Sequence, residues 1–138
     1  MIDNRTASVI DLAFQIHHTP VGKLFVAMRH GRMKRCFSRD TAIRYLAFFM
    51  TTRAFEVSGF MCRYPDVKVS HPVHSEVWER GGVTKEYHFA HQRCIRRLRR
   101  ILARKRDMQK WCAKWDSMHD RFVKEQAELQ ASKPEGIR

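Results

Sequence analysis

Ten lysines and arginines crowd the 22 residues from Arg93 to Lys114, and one acid, Asp107, accompanies them. Seven are arginines (Arg93, Arg96, Arg97, Arg99, Arg100, Arg104, Arg106) and three are lysines (Lys105, Lys110, Lys114). A guanidinium meets a phosphate through two parallel N–H···O bonds, so the chemistry this run suits is phosphate contact. On a helix, Arg93/Arg97, Arg96/Arg100 and Arg100/Arg104 are like-charged neighbours, each costing about 0.2–0.5 kcal/mol in isolation. An ordinary solvated face mixes signs and avoids that cost. The run therefore points to a polyanion, of which nucleic acid is the abundant cellular example. Arg93, Arg96, Arg97, Arg100, Arg104, Arg106 and Lys110 are the expected phosphate partners. Arg32, Lys34 and Arg35, beside Arg29 and His30, form a second basic group. Placed near the first, it would complete a groove that tracks a backbone. The competing expectation is a small regulator or inhibitor whose basic helix docks on an acidic, or nucleic-acid-binding, surface of a larger complex.

Histidine and cysteine offer a second chemistry. Cys62, His71-Pro-Val-His74 and His88-Phe-Ala-His91-Gln-Arg-Cys94 lie near one another in sequence. His88/His91 or His91/Cys94, three apart on a helix, suit zinc, yet no Cys-x-x-Cys knuckle accompanies them. His91 and Cys94 also fall on an apolar seam, where a cysteine serves as a small hydrophobe. His71, His74 and Glu76 would serve a nuclease only in the sense that any basic, His-containing chain does. With no glycine-rich phosphate loop, nucleophile elbow or framed carboxylate pair, the expectation is a non-enzymatic protein without cofactor or metal.

The 138 residues are 43% hydrophobic and 30% charged, with net charge +13. That suits one folded domain with a modest core. Residues 1–82 carry 12 basic and 7 acidic side chains, residues 83–138 carry 15 and 7, so the excess is local. The four cysteines have no close pair and the start, Met1-Ile-Asp-Asn-Arg, lacks a signal layout, so a reducing cytoplasm is expected. No run approaches 18 apolar residues, and no membrane partner is expected.

The elements that position these residues follow from periodicity and breakers. Thr6 to His18 reads as a short helix ended by Thr19-Pro20. Leu24–Arg29 and Arg32–Phe37 read as a hairpin about His30-Gly31, in preference to one helix closed by Gly31. Ser38 caps a very hydrophobic helix from Arg39 to Val57, which Ser58-Gly59 ends. Residues 64–83, broken by Pro65, Pro72 and Gly81-Gly82, admit one or two short strands from Val67–Val69 and Val73, Ser75, Val77. Thr84 caps a final helix that meets no Pro or Gly until Pro134. The expected fold is thus α+β and helix-dominated. A small N-terminal unit of helix, hairpin and helix (1–83) packs on a long basic amphipathic helix (84–131), with a tail at 132–138.

That helix carries a seam: Tyr87, Cys94, Ile101, Met108, Trp115, Phe122 and Leu129. Its companion column (His91, Leu98, Lys105, Cys112, His119, Gln126) is half polar, which makes a poor coiled-coil self-zipper. Ile95 and Leu102 flank the seam early, Trp111 and Met118 late, so the two halves should face different neighbours. Trp111, Trp115, Met118 and Phe122 are the expected partner surface, a homodimer among the candidates. A basic stretch before a mixed-charge amphipathic one is similar in layout to basic-zipper DNA binders, without their leucine at every seventh position.

Overall fold

The computed structural model describes residues 8–136. The elements are α1 (Val9–Ala13), β1 (Phe14–Thr19), β2 (Gly22–Arg29), β3 (Arg32–Cys36), α2 (Arg39–Ser58), β4 (Val67–Val69), β5 (Val77–Glu79) and α3 (Lys85–Ala131). The fold is α+β and helix-dominated. The chain divides into two compact units, residues 1–99 and 100–138, and the division falls inside α3 rather than at its start.

In the first unit, α1 is a single turn held by a reciprocal cap. The Ser8 hydroxyl accepts from the Asp11 amide, and the Asp11 carboxylate accepts from the Ser8 amide. The helix expected over Thr6–His18 is corrected here: Thr6 lies outside the described residues, and from Phe14 the chain is a strand. Val9, Ile10, Ala13 and Phe14 do recur at helical spacing. Phe14–Thr19, however, pairs with β2 over its whole length, from Phe14↔Ala27 to Thr19↔Gly22. Six residues of ladder outweigh one further helical turn, because a strand's stability comes from its neighbour.

β2 and β3 form the expected hairpin, with Arg29↔Arg32 closing it about His30-Gly31. Both turn residues have positive φ (52° and 75°), as a type I′ turn demands. The three strands make an antiparallel meander in the order β1-β2-β3. Ser38 caps α2 through the Thr41 amide, and Gly59 ends it in the left-handed region.

α2 is the centre of this unit, with Ala42, Ile43, Leu46, Ala47, Phe49 and Phe55 buried. It packs on β2 and β3, and on another side it meets residues 85–99 of α3. Three ties fix that second contact: Phe55 on the Tyr87 ring (5.2 Å), His91 Nε2 at the Arg44 carbonyl (3.2 Å), and Arg99 on Asp40 (2.5 Å). Their order makes α2 antiparallel to this part of α3. Ile43, Leu46, Ile95 and Leu98 are the largest fully buried side chains, each worth about 1.5–3 kcal/mol of burial.

The segment between α2 and α3 closes on itself. The Tyr64 amide donates to the Gly82 carbonyl and the Thr84 amide to the Cys62 carbonyl. β4 and β5 continue the closure as a two-stranded ribbon, Val67↔Glu79 to Val69↔Val77. Val73 and Ser75, expected to alternate in a strand, lie instead in the connecting turn. Gly81 has no room for a side chain: a Cβ there would stand 1.8 Å from the Tyr64 carbonyl oxygen. Thr84 then caps α3, its hydroxyl accepting from the Tyr87 amide at 3.2 Å. The second unit consists of the remainder of α3, residues 100–131, and a turn that ends in a left-handed Gly136.

Candidate nucleic-acid interface

Nine of the ten cations between Arg93 and Lys114 are exposed, Lys105 being the half-buried exception. Burial lowers the Lys105 pKa, the response expected of an ammonium partly removed from water. Among the described residues, Arg99 alone of the nine exposed cations is held by a carboxylate, that of Asp40.

In the first unit, Ile95 and Leu98 anchor the buried side of α3. At about 100° per residue, Arg93 and Arg97, which border a cavity shared with Met50, Ala54 and Phe55 of α2, each lie some 160° from Ile95. They stand one turn apart, with Arg96 beside them. In the second unit Arg100 and Arg104 have the same relation to Leu102, which is 7% exposed. Arg106, Lys110 and Lys114 occupy other exposed positions of that unit. The expected phosphate partners are therefore accessible in both units.

The hairpin group is not brought together on one face. Arg32 and Lys34 point to the α2 side, where Arg32 lies over the Phe48 ring (5.8 Å) and Lys34 over Tyr45 (5.1 Å). Arg32 also stands 3.5 Å from Glu56. Arg35 pairs with Val26, and strand alternation puts it on the opposite face of the sheet. Cation–π contacts hold two of the three cations, and one of these also has a carboxylate.

Two of these histidines, His71 and His91, have local hydrogen-bond partners. His71 Nδ1 accepts from the Val73 and His74 amides, and Glu76 is paired with Lys68 at 2.6 Å. His91 stacks on Tyr87 as well as meeting the Arg44 carbonyl. Cys94 is half-buried, and burial raises its thiol pKa. Among the described residues no three His, Cys, Asp or Glu side chains gather as a metal site would require. All four cysteines carry free thiols.

The seam changes character along α3. Tyr87, Ile95, Leu98 and Leu102 are buried. Trp111, Trp115, Met118 and Phe122 in the second unit are 60, 52, 63 and 61% exposed. Trp115 stacks flat on His119, ring centres 5.2 Å apart. No helix among the described residues is long and apolar enough to cross a membrane.

Sequence reasoning missed a third cationic locus in the first unit. A cavity of about 440 Å³ is lined by Arg32, Arg63 and Arg80 together with His88 and His91. Arg63 and Arg80 are isolated in sequence, and only the closure of residues 62–64 on 82–84 sets them side by side. No spacing rule marks such a pair. No protein-family model, curated protein or solved structure matches this chain.

Proposed function

We propose that this protein binds nucleic acid without catalysing a reaction, contacting the phosphate backbone through the exposed cations of α3. The observation that carries the reading is the supply of accessible, uncompensated charge between Arg93 and Lys114. Eight exposed cations there have no carboxylate partner among the described residues. Contacts made by such side chains position a protein on a duplex or strand but do not read bases. Arg93, Arg96 and Arg97 serve from the first unit, and Arg100, Arg104, Arg106 and Lys110 from the second. Arg32, Lys34 and Arg35 play a lesser part, two of them being engaged with rings of α2. The free thiols suit a reducing compartment, which we take to be the cytoplasm.

The apolar row of the second unit is assigned to a second copy of the chain. Residues 100–114 hold six cations and one acid, whereas residues 115–135 hold five acids and three cations. Two copies laid antiparallel through Trp111, Trp115, Met118 and Phe122 set each half against its opposite. A parallel pair sets like against like.

The exposed aromatic row also favours a second reading, in which the basic helix docks on an acidic or nucleic-acid-binding surface of a larger protein as a regulator. Gel-shift titration with unrelated DNA and RNA separates the two. Replacing Arg93, Arg96 and Arg97 by Gln should weaken binding to every sequence by a similar factor, on the order of tenfold or more. Absence of a shift at low salt, with one stoichiometric protein retained from nuclease-treated lysate, selects the regulator instead.

A further inference from the structure

The cavity in the first unit lies where four parts of the chain converge: the start of β3, the middle of α2, the closed segment before α3, and the first turns of α3. It brings three guanidinium groups and two imidazoles to one space, and no carboxylate lines it. So one-sided a lining disfavours a cationic occupant. Metal is disfavoured too, since no group of three potential ligands forms among the described residues.

Two of the guanidiniums are pre-positioned. Arg63 donates to the Gly81 carbonyl at 3.1 Å, which fixes its side chain across the closure. Arg32 is held between the Phe48 ring at 5.8 Å and Glu56 at 3.5 Å, a carboxylate that partly offsets its charge. Arg80 and His88 are exposed, and neither side chain makes an ion pair or hydrogen bond among the described residues. Their donors are therefore available to an occupant. Rings complete the lining: Phe48 is 38% exposed, and Tyr87 is held by the hydrogen bond between its hydroxyl and Thr52 at 2.7 Å.

We infer that this cavity binds a phosphate monoester carried on an aromatic or heteroaromatic body, a mononucleotide being the chemical class that fits. Arginine forks match the tetrahedral anion, and each charge-assisted bond contributes more than a neutral one. About 440 Å³ is far more than a bare phosphate needs and falls within the range of small-molecule sites. The rings and the Arg32 guanidinium plane supply stacking surface for the remainder. The same chemistry is offered by a free nucleotide and by the phosphorylated end of a strand. This inference stands apart from the polymer reading, because a single mononucleotide has too little charge to require the α3 run.

The test is calorimetric titration of the full chain with AMP, adenosine, inorganic phosphate, and oligonucleotides bearing a 5′-phosphate or a 5′-hydroxyl. AMP should bind, and adenosine and phosphate should each bind at least about tenfold more weakly. Arg80→Ala and His88→Ala, both at exposed positions, should weaken AMP at least about tenfold between them while circular dichroism is unchanged. Competition with AMP by the 5′-phosphorylated strand alone identifies a strand end, and competition by neither strand identifies a free nucleotide. Absence of AMP binding at millimolar concentration overturns the inference, whatever the polymer does. So does AMP binding that is indifferent to both substitutions.

Discussion

His30 holds a left-handed backbone conformation that is uncommon outside glycine, with φ of 52° in the turn between β2 and β3. Glycine populates that region freely, asparagine, aspartate and histidine less so, and Asn-Gly is the preferred pair for this turn. The imidazole is also electrostatically misplaced. Burial lowers its pKa below the usual 6.5, Arg29 and Arg53 lower it further, and Glu56 only partly opposes them. A base whose pKa falls on folding takes up protons less readily in the native state. Its contribution is therefore present above 6.5 and is lost as pH drops through the lower folded value. His30→Asn removes both penalties. At pH 8 it should stabilise the protein by about 0.5 kcal/mol through the turn alone. The advantage over wild type should grow at pH 5, read as a widening gap between thermal midpoints. A gap that shrinks on acidification would contradict this account.

The first unit depends on how α2 meets the beginning of α3, and Asp40 is the polar fastener of that contact. It lies in the first turn of α2, where the helix dipole already favours a carboxylate. Hydrogen bonds from Arg44, then Arg99, lower its pKa. A lowered carboxyl pKa gives stability that is present above the unfolded value and is lost as pH falls through the folded one. Asp40→Asn should therefore lower the thermal midpoint at pH 7, and the two proteins should converge once the carboxyl is protonated. Elements of this kind were legible where their signals are local. The turn pair His30-Gly31, the caps Ser38 and Thr84, and the breakers Gly59 and Pro134 gave both long helices to within a residue and the hairpin to within two. Phe14–Thr19 was not legible, because its spacing also suits a helix and only pairing with β2, a non-local fact, decides it. The same distinction holds for function. The α3 cations announce themselves by count, whereas Arg63 and Arg80 become neighbours only through Gly81, whose lack of a Cβ lets the chain close on Tyr64.

At the scale of the whole molecule, a net charge of +13 and an exposed apolar row are the two features that the fold leaves unbalanced among the described residues. Self-repulsion of that size favours an anionic partner, and exposed tryptophans at helical spacing favour a covering surface. Sedimentation should reveal a concentration-dependent dimer that Trp111→Ser with Phe122→Ser weakens by about tenfold or more, consistent with aromatic anchors dominating an interface. Added salt should weaken an antiparallel dimer by screening its opposed charges, and would strengthen a parallel one.

The most direct measurement of the central claim is the salt dependence of binding to a duplex of arbitrary sequence. Each phosphate neutralised contributes about −0.9 to the slope of log K against log salt, so four or more engaged cations give about −3.6 or steeper. The triple Gln substitution of Arg93, Arg96 and Arg97 should flatten that slope by up to about 2.7. A flat dependence in the wild-type chain, or a slope that ignores the substitutions, would contradict the assignment of α3 to the phosphate backbone.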